Sequence, residues 1–187
     1  MASTTSLFQK LRNSMLIIPG FGLLTGGLFL PPGFSFKIIA GLQEAICLFI
    51  IGLAWKNRET LKKWPVKFAN KLATITLIGF IVSFFLYGFL FRMSTIDSMK
   101  WNTELFVPFW ANDRVNELGG YQYIYDEYGV DDINEIVKKD CKGLLFISEV
   151  IIYTNYLLIF ACLTLTFTFL DIKHRIVTSQ IATSLPM

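Results

Sequence analysis

The sequence predicts an all-α integral membrane protein: four transmembrane helices, N-terminus and C-terminus both inside, and a small structured segment outside between helices three and four. Three observations predict it. Four apolar runs, at about 15–30, 38–55, 72–91 and 144–170, approach or exceed the roughly 17–25 residues that cross a hydrocarbon core. The 187-residue chain is 53% hydrophobic and only 17% charged, whereas about a quarter of a soluble domain is charged. The charges are also one-sided. Six bases (Lys56, Arg58, Lys62, Lys63, Lys67, Lys71) face a single acid, Glu59, in the linker between runs two and three, while residues 93–142 hold ten acids against five bases.

Short loops rich in Lys and Arg stay on the inner side, so the 56–71 linker is expected inside. Lys10 and Arg12 before the first run, and Lys173 and Arg175 after the last, agree with that placement. The chain then divides into an N-terminal tail with three spans (1–92), an acidic, aromatic-rich outer segment (93–142), and a fourth span with an inner tail (143–187). The same asymmetry explains the net charge of +3 without any nucleic-acid partner, because the bases flank span ends. A plasma or bacterial inner membrane fits this charge pattern, with an organelle inner membrane as the alternative.

The first run contains "PGFGLLTGGLFLPPG", Pro19 to Gly33. Its glycines match neither the G-x-G-x-x-G nor the G-x-x-x-x-G-K-[ST] spacing that cradles phosphates. They match a small-xxx-small pair, Gly22 and Gly26, which lets a neighbouring helix approach closely. Basic residues precede this run as in a signal peptide, but no small-x-small cleavage site follows Leu30, so a retained span is expected. At 1.5 Å per residue its sixteen residues reach only about 24 Å, so the span needs a thin membrane or shielding by neighbours.

The second run carries Gln43 and Glu44, and the fourth carries Glu149. A carboxylate inside a membrane is costly and is a functional candidate by default. Runs two and four both lead from outside to inside, which predicts similar depths for the two glutamates. Glu149, Tyr153 and Tyr156 share a helix face by their i, i+4, i+7 spacing, with Asn155 pointing elsewhere, and Arg92 closes the third span. Gln43, Glu44, Arg92, Glu149 and Tyr153 therefore form a candidate polar site in the outer leaflet. Three roles are open to it: an interhelical clamp, a cation or proton site, or a pocket for a lipid headgroup or small ligand.

In the inner linker, Leu61, Trp64 and Phe68 recur at helical spacing beside lysines, a pattern for a short helix on lipid headgroups or for an ordinary basic linker ending at Pro65. The outer segment predicts a helix from near Pro108 to Gly119-Gly120, then an extended strand with Tyr121, Tyr123 and Tyr125 alternating. A helix capped at Asp132 is expected to run on into span four. Trp110 and the three tyrosines are candidate partner contacts, because aromatics are enriched where proteins bind.

One histidine, His174, and three scattered cysteines without a C-x-x-C pair predict no metal site and no cofactor. No G-x-S-x-G nucleophile or activated cysteine is present, so no enzymatic activity is expected. The expected function is that of a structural or assembly subunit in a homo-oligomer or larger membrane complex, with membrane lipids and other membrane subunits or itself as partners. The alternatives are a cation or proton channel or transporter using Glu44 and Glu149, and a membrane protein that binds lipid or a small ligand.

Overall fold

The computed structural model describes residues 36–98 and 103–184. Over these residues the chain is mainly helical, in the order α1 (Phe36–Lys56), α2 (Arg58–Leu61), α3 (Val66–Ser94), β1 (Thr95–Ser98), β2 (Thr103–Phe106), α4 (Asp113–Glu117), α5 (Tyr121–Tyr128), α6 (Val130–Asp140) and α7 (Lys142–Ser184). The expected first span, with Gly22 and Gly26, lies outside the described residues. The other three apolar runs fall on α1, α3 and α7. Among the described residues two helices, α3 and the Lys142–Gln180 portion of α7, are long and apolar enough to cross a membrane. The described chain divides into two compact units, one holding residues up to Ile81 together with those from Leu158 onward, the other holding Val82–Leu157.

In the first unit, α1 ends at Lys56, and Asn57 follows with its Nδ2 donating to the Leu53 carbonyl at 2.8 Å. The linker forms the short, four-residue α2 and a turn before Pro65. Pro65 explains the break. It has no N–H to donate, so it suits a helix start, and its carbonyl accepts the first bonds of α3 from Phe68 and Ala69 N–H. Leu61, Trp64 and Val66 pack against a small core of Ala69, Ile172 and Ile176, so the apolar side of the linker meets α7 rather than lying free. Phe68 stays exposed, edge-on to Trp64 at 5.0 Å.

The same unit pairs α3 with α7 in antiparallel order. Lys173 Nζ donates to Asn70 Oδ1 at 2.7 Å, the Thr76 and Thr166 hydroxyls are 2.9 Å apart, and a Cβ added at Gly79 would sit 3.3 Å from Cys162 Sγ. Position numbers rise on one helix as they fall on the other. α1 joins through Thr164, whose hydroxyl donates to Cys47 Sγ at 3.1 Å.

In the second unit, Asn155 is buried and its Nδ2 donates to the Ser83 carbonyl at 2.9 Å, with Tyr87 and Tyr156 ring centroids 5.6 Å apart. Asn155 thus meets α3 directly, beside the Tyr87–Tyr156 contact. An unpaired amide in apolar surroundings is expensive, and the Ser83 carbonyl satisfies this one.

The outer segment opens with a β-hairpin that the sequence did not suggest, β1 against β2 in antiparallel register from Thr95↔Phe106 to Ser98↔Thr103. Two bonds tie the following strand exit to the long helices: Val107 N–H donates to the Ser94 carbonyl at 2.8 Å, and Phe109 N–H donates to Ser148 Oγ at 3.0 Å. The expected helix from Pro108 begins later, at Asp113, because the Asn112 side chain caps it by accepting the Val115 N–H at 2.9 Å. It ends in a Schellman turn: Gly120 N–H reaches the Val115 carbonyl, Gly119 N–H reaches that of Asn116, and both glycines have φ near +90°.

The tyrosine stretch is helix α5, not a strand. Tyr121, Ile124 and Tyr125 are its buried residues, an i, i+3, i+4 face that outweighs the alternation of tyrosines. Helix α6 starts at Val130, directly after Gly129 (φ +95°), rather than at Asp132. It does not continue into the fourth apolar run, since Cys141 (φ −117°, ψ 14°) separates it from α7. The core of this segment is Val107, Val115, Tyr121, Ile124, Tyr125, Ile133, Val137 and Cys141.

Replacing Asn155 by Ala should destabilise the paired helices by about 0.6 kcal/mol, the typical worth of a hydrogen bond between membrane helices. Gly79→Ile should cost more, about 1–3 kcal/mol, because the added side chain is forced against Cys162. Unfolding by SDS titration in mixed micelles measures both. Equal stability of Gly79→Ile and the parent would contradict a close approach at Gly79.

Candidate functional site

The polar residues within the apolar helices fall into two groups. Gln43, buried, and Glu44, half-buried, lie on α1 in the first unit. Arg92, Glu149 and Tyr153 belong to the second unit. There Arg92 is exposed near the end of α3, and Glu149 and Tyr153 are half-buried on α7. No ion pair joins Arg92 to Glu149 among the described residues. The polar clamps the structure does show are Asn155 with Ser83 and Thr166 with Thr76, which the sequence reasoning passed over in favour of the carboxylates. Their signal was present as a run of small or hydroxyl residues on α3, Ala69, Ala73, Thr76, Gly79 and Ser83, spaced by steps of three or four.

Glu149 instead opens onto a shallow groove of about 440 Å³, lined by Lys138, Lys142, Leu145, Phe146 and Glu149. Two helices build it. Lys138 sits in the last turn of α6, where cations complement the helix dipole, and Lys142 is the first residue of α7. The bend at Cys141 brings the two ammonium-bearing side chains to one groove, and α7 then presents Leu145, Phe146 and Glu149 in successive turns. Phe146 is 64% exposed, which leaves the apolar wall open. Neither lysine is ion-paired to Glu149 among the described residues.

The 93–142 segment is tied together by contacts of its own. Arg114 Nη1 lies 2.8 Å from Asp140 Oδ2, and Asn112 Nδ2 donates to the Asp140 carbonyl, so α4 is fastened to the end of α6. Tyr121 donates its hydroxyl to the Trp110 carbonyl at 3.1 Å. Burial, and then the neighbouring Cys141 thiol, push its phenol above the ordinary tyrosine range. The four aromatic candidates thus separate. Tyr121 and Tyr125 are interior, whereas Trp110 (54%) and Tyr123 (52%) are exposed, joined by Tyr128 (57%) and Leu118. A partner can touch only the latter group. Among the described residues no three His, Cys, Asp or Glu side chains gather as a metal site would need.

The raised pKa of Tyr121 fixes the sign of a pH effect. The folded segment holds this proton more tightly than the unfolded chain does. Its contribution is therefore complete below about pH 10, the ordinary tyrosine value, and is lost as pH rises toward the higher folded value. The urea midpoint of the 93–142 segment, followed by near-ultraviolet circular dichroism, should fall as pH rises above about 10, and less steeply in Tyr121→Phe. An identical slope in both proteins would contradict the assignment.

No family model, no curated protein and no solved structure matches the chain, so the functional argument rests on this geometry.

Proposed function

We propose that the protein is a multi-pass membrane subunit with four spans and both ends inside, acting as a structural or assembly component of a homo-oligomer or larger membrane complex. Burial favours a lipid setting for the long helices: only 11% of the most apolar stretch of α3 and 28% of that of α7 are covered by the protein itself, whereas a soluble core helix would be mostly buried. Large side chains such as Ile78, Val82, Phe85 and Phe89 on α3 are exposed among the described residues. The antiparallel order of α3 and α7 supports opposite crossings. The packing of Leu61 and Trp64 against Ile172 and Ile176 supports one shared side for the basic linker and the basic end of α7.

The observation that carries the subunit reading is the outer segment. It has a closed core and internal bonds of its own, yet it leaves Trp110, Tyr123, Tyr128 and Leu118 exposed. Exposed aromatics on an ordered, water-facing unit are the anchors from which protein interfaces are built. The span polar groups Asn155, Thr76, Thr164 and Thr166 are meanwhile engaged in helix contacts. Membrane lipids and other membrane subunits, or further copies of the chain, are the proposed partners.

Two experiments test this. The complex extracted in mild detergent should shrink on a native gel when Trp110, Tyr123 and Tyr128 are all changed to Ala, with helix content unchanged; an unaltered size would refute the contact surface. For topology, a cysteine at Asp132 should react with an impermeant reagent from outside and one at Thr60 only after permeabilisation. The reverse pattern would invert the proposed orientation.

A further inference from the structure

The contact between α3 and α7 gathers charge as well as apolar surface. The six bases of residues 56–71 and the two that follow the fourth apolar run, Lys173 and Arg175, belong to one compact unit, and the acids beside them are Glu59 and Asp171. Both acids are already engaged. Glu59 lies 2.9 Å from Lys62 and 3.4 Å from Arg58, and Asp171 lies 2.8 Å from Arg175. Among the described residues no carboxylate pairs with Lys56, Lys63, Lys67, Lys71 or Lys173. Lys67, Asn70 and Lys71 share a face of α3 by their i, i+3, i+4 spacing, and Lys173 Nζ reaches that face from α7, donating to Asn70 Oδ1 at 2.7 Å. Like charges so placed repel. The rule that keeps bases inside explains the side on which they lie, but not why three of them share a face that holds no counter-charge.

We propose that this basic end of the α3 and α7 pair collects anionic phospholipid headgroups, selecting them by charge and not by headgroup shape. The proposal rests on the membrane reading given above and names the class of lipid partner. Lys67 and Lys71 precede the apolar run of α3, and Lys173 follows that of α7, so the bases stand at the ends of the two helices able to cross a membrane. On that reading they lie at headgroup level, where lysine stems run along apolar surface and the ammonium groups stay in the polar layer. Exposed rings accompany them: Trp55 is 60% and Phe68 45% exposed, and the Arg58 guanidinium lies 5.3 Å from the Trp55 ring centroid. Tryptophan settles at the same interface. A soluble anion could pair with the lysines, but it would leave Trp55 and Phe68 uncovered. Selection by charge follows from the layout, since the unpaired bases are spread over the linker, α3 and α7 and so respond to the summed field of several headgroups.

The test uses the full chain in nanodiscs, with Trp101→Phe and Trp110→Phe so that only Trp55 and Trp64 fluoresce. Dibrominated lipids, which quench tryptophan on contact, are the probes, each at the same mole fraction in phosphatidylcholine. At low ionic strength brominated phosphatidylglycerol should quench roughly twofold more than brominated phosphatidylcholine, and brominated phosphatidylserine should match phosphatidylglycerol. The excess should vanish in about 0.5 M salt and in the triple variant Lys67→Gln, Lys71→Gln, Lys173→Gln, and persist in the corresponding triple arginine variant. Equal quenching by the charged and zwitterionic lipids, an undiminished excess in the glutamine variant, its loss in a folded arginine variant, or a difference between the two anionic lipids would overturn the proposal. Loss of the excess on adding inorganic phosphate at constant ionic strength would assign the patch to a soluble anion and overturn it equally. Quenching by brominated phosphatidylcholine separates the two claims: if every lipid quenches alike, only the selectivity fails, and if none quenches, the membrane reading fails.

Discussion

The close antiparallel pairing of α3 with α7 is the constraint on which the rest depends. On the proposed membrane reading there is little hydrophobic driving force between the helices, so association depends on tight packing and interhelical hydrogen bonds. α3 meets that need with Ala69, Ala73, Thr76, Gly79, Ser83 and Tyr87, and α7 answers with Ile172, Thr166, Cys162, Asn155 and Tyr156. Within the first unit this pairing gives Leu61 and Trp64 of the linker a surface to pack on. Within the second it supplies Ser94 and Ser148, the acceptors that hold the backbone at Val107 and Phe109.

The long helices were legible in the sequence because hydropathy alone decides them. Runs 38–55, 72–91 and 144–170 each lie on a described helix, though α3 starts six residues earlier and α7 extends to Ser184. Those extensions had no hydropathy signal. Pro65 sets the first, and the burial of Ile172 and Ile176 against the linker sustains the second. The outer segment was harder to read for a different reason. Its helices are short, so capping decides where they begin and end, and Asn112, Gly119, Gly120 and Gly129 outweigh the tyrosine alternation that suggested a strand.

The candidate site shows the same division. Carboxylates in an apolar run draw attention at once, and Glu44 and Glu149 were found that way. What surrounds Glu149 could not be found so, because Lys138 lies eleven residues away and reaches the groove only through the bend at Cys141. Likewise Tyr121 and Tyr123 look equivalent in the sequence. One faces a core that includes residues as distant as Val107 and Val137, and the other faces solvent. Local spacing identifies a face, but only long-range packing says which face is covered.

The central claim is the antiparallel pairing, and a single disulfide tests it most directly. A Cβ at position 79 would sit 3.3 Å from the native Cys162 sulfur, close enough for a bridge whose Cβ atoms lie roughly 3.5–4.5 Å apart. Gly79→Cys, made with Cys47 and Cys141 replaced by Ala and oxidised mildly in the membrane, should cross-link within one chain to Cys162. Proteolysis between α3 and α7 should then leave two fragments joined until reduction. Fragments that separate without reductant, or a bond formed only between two chains, would contradict the account.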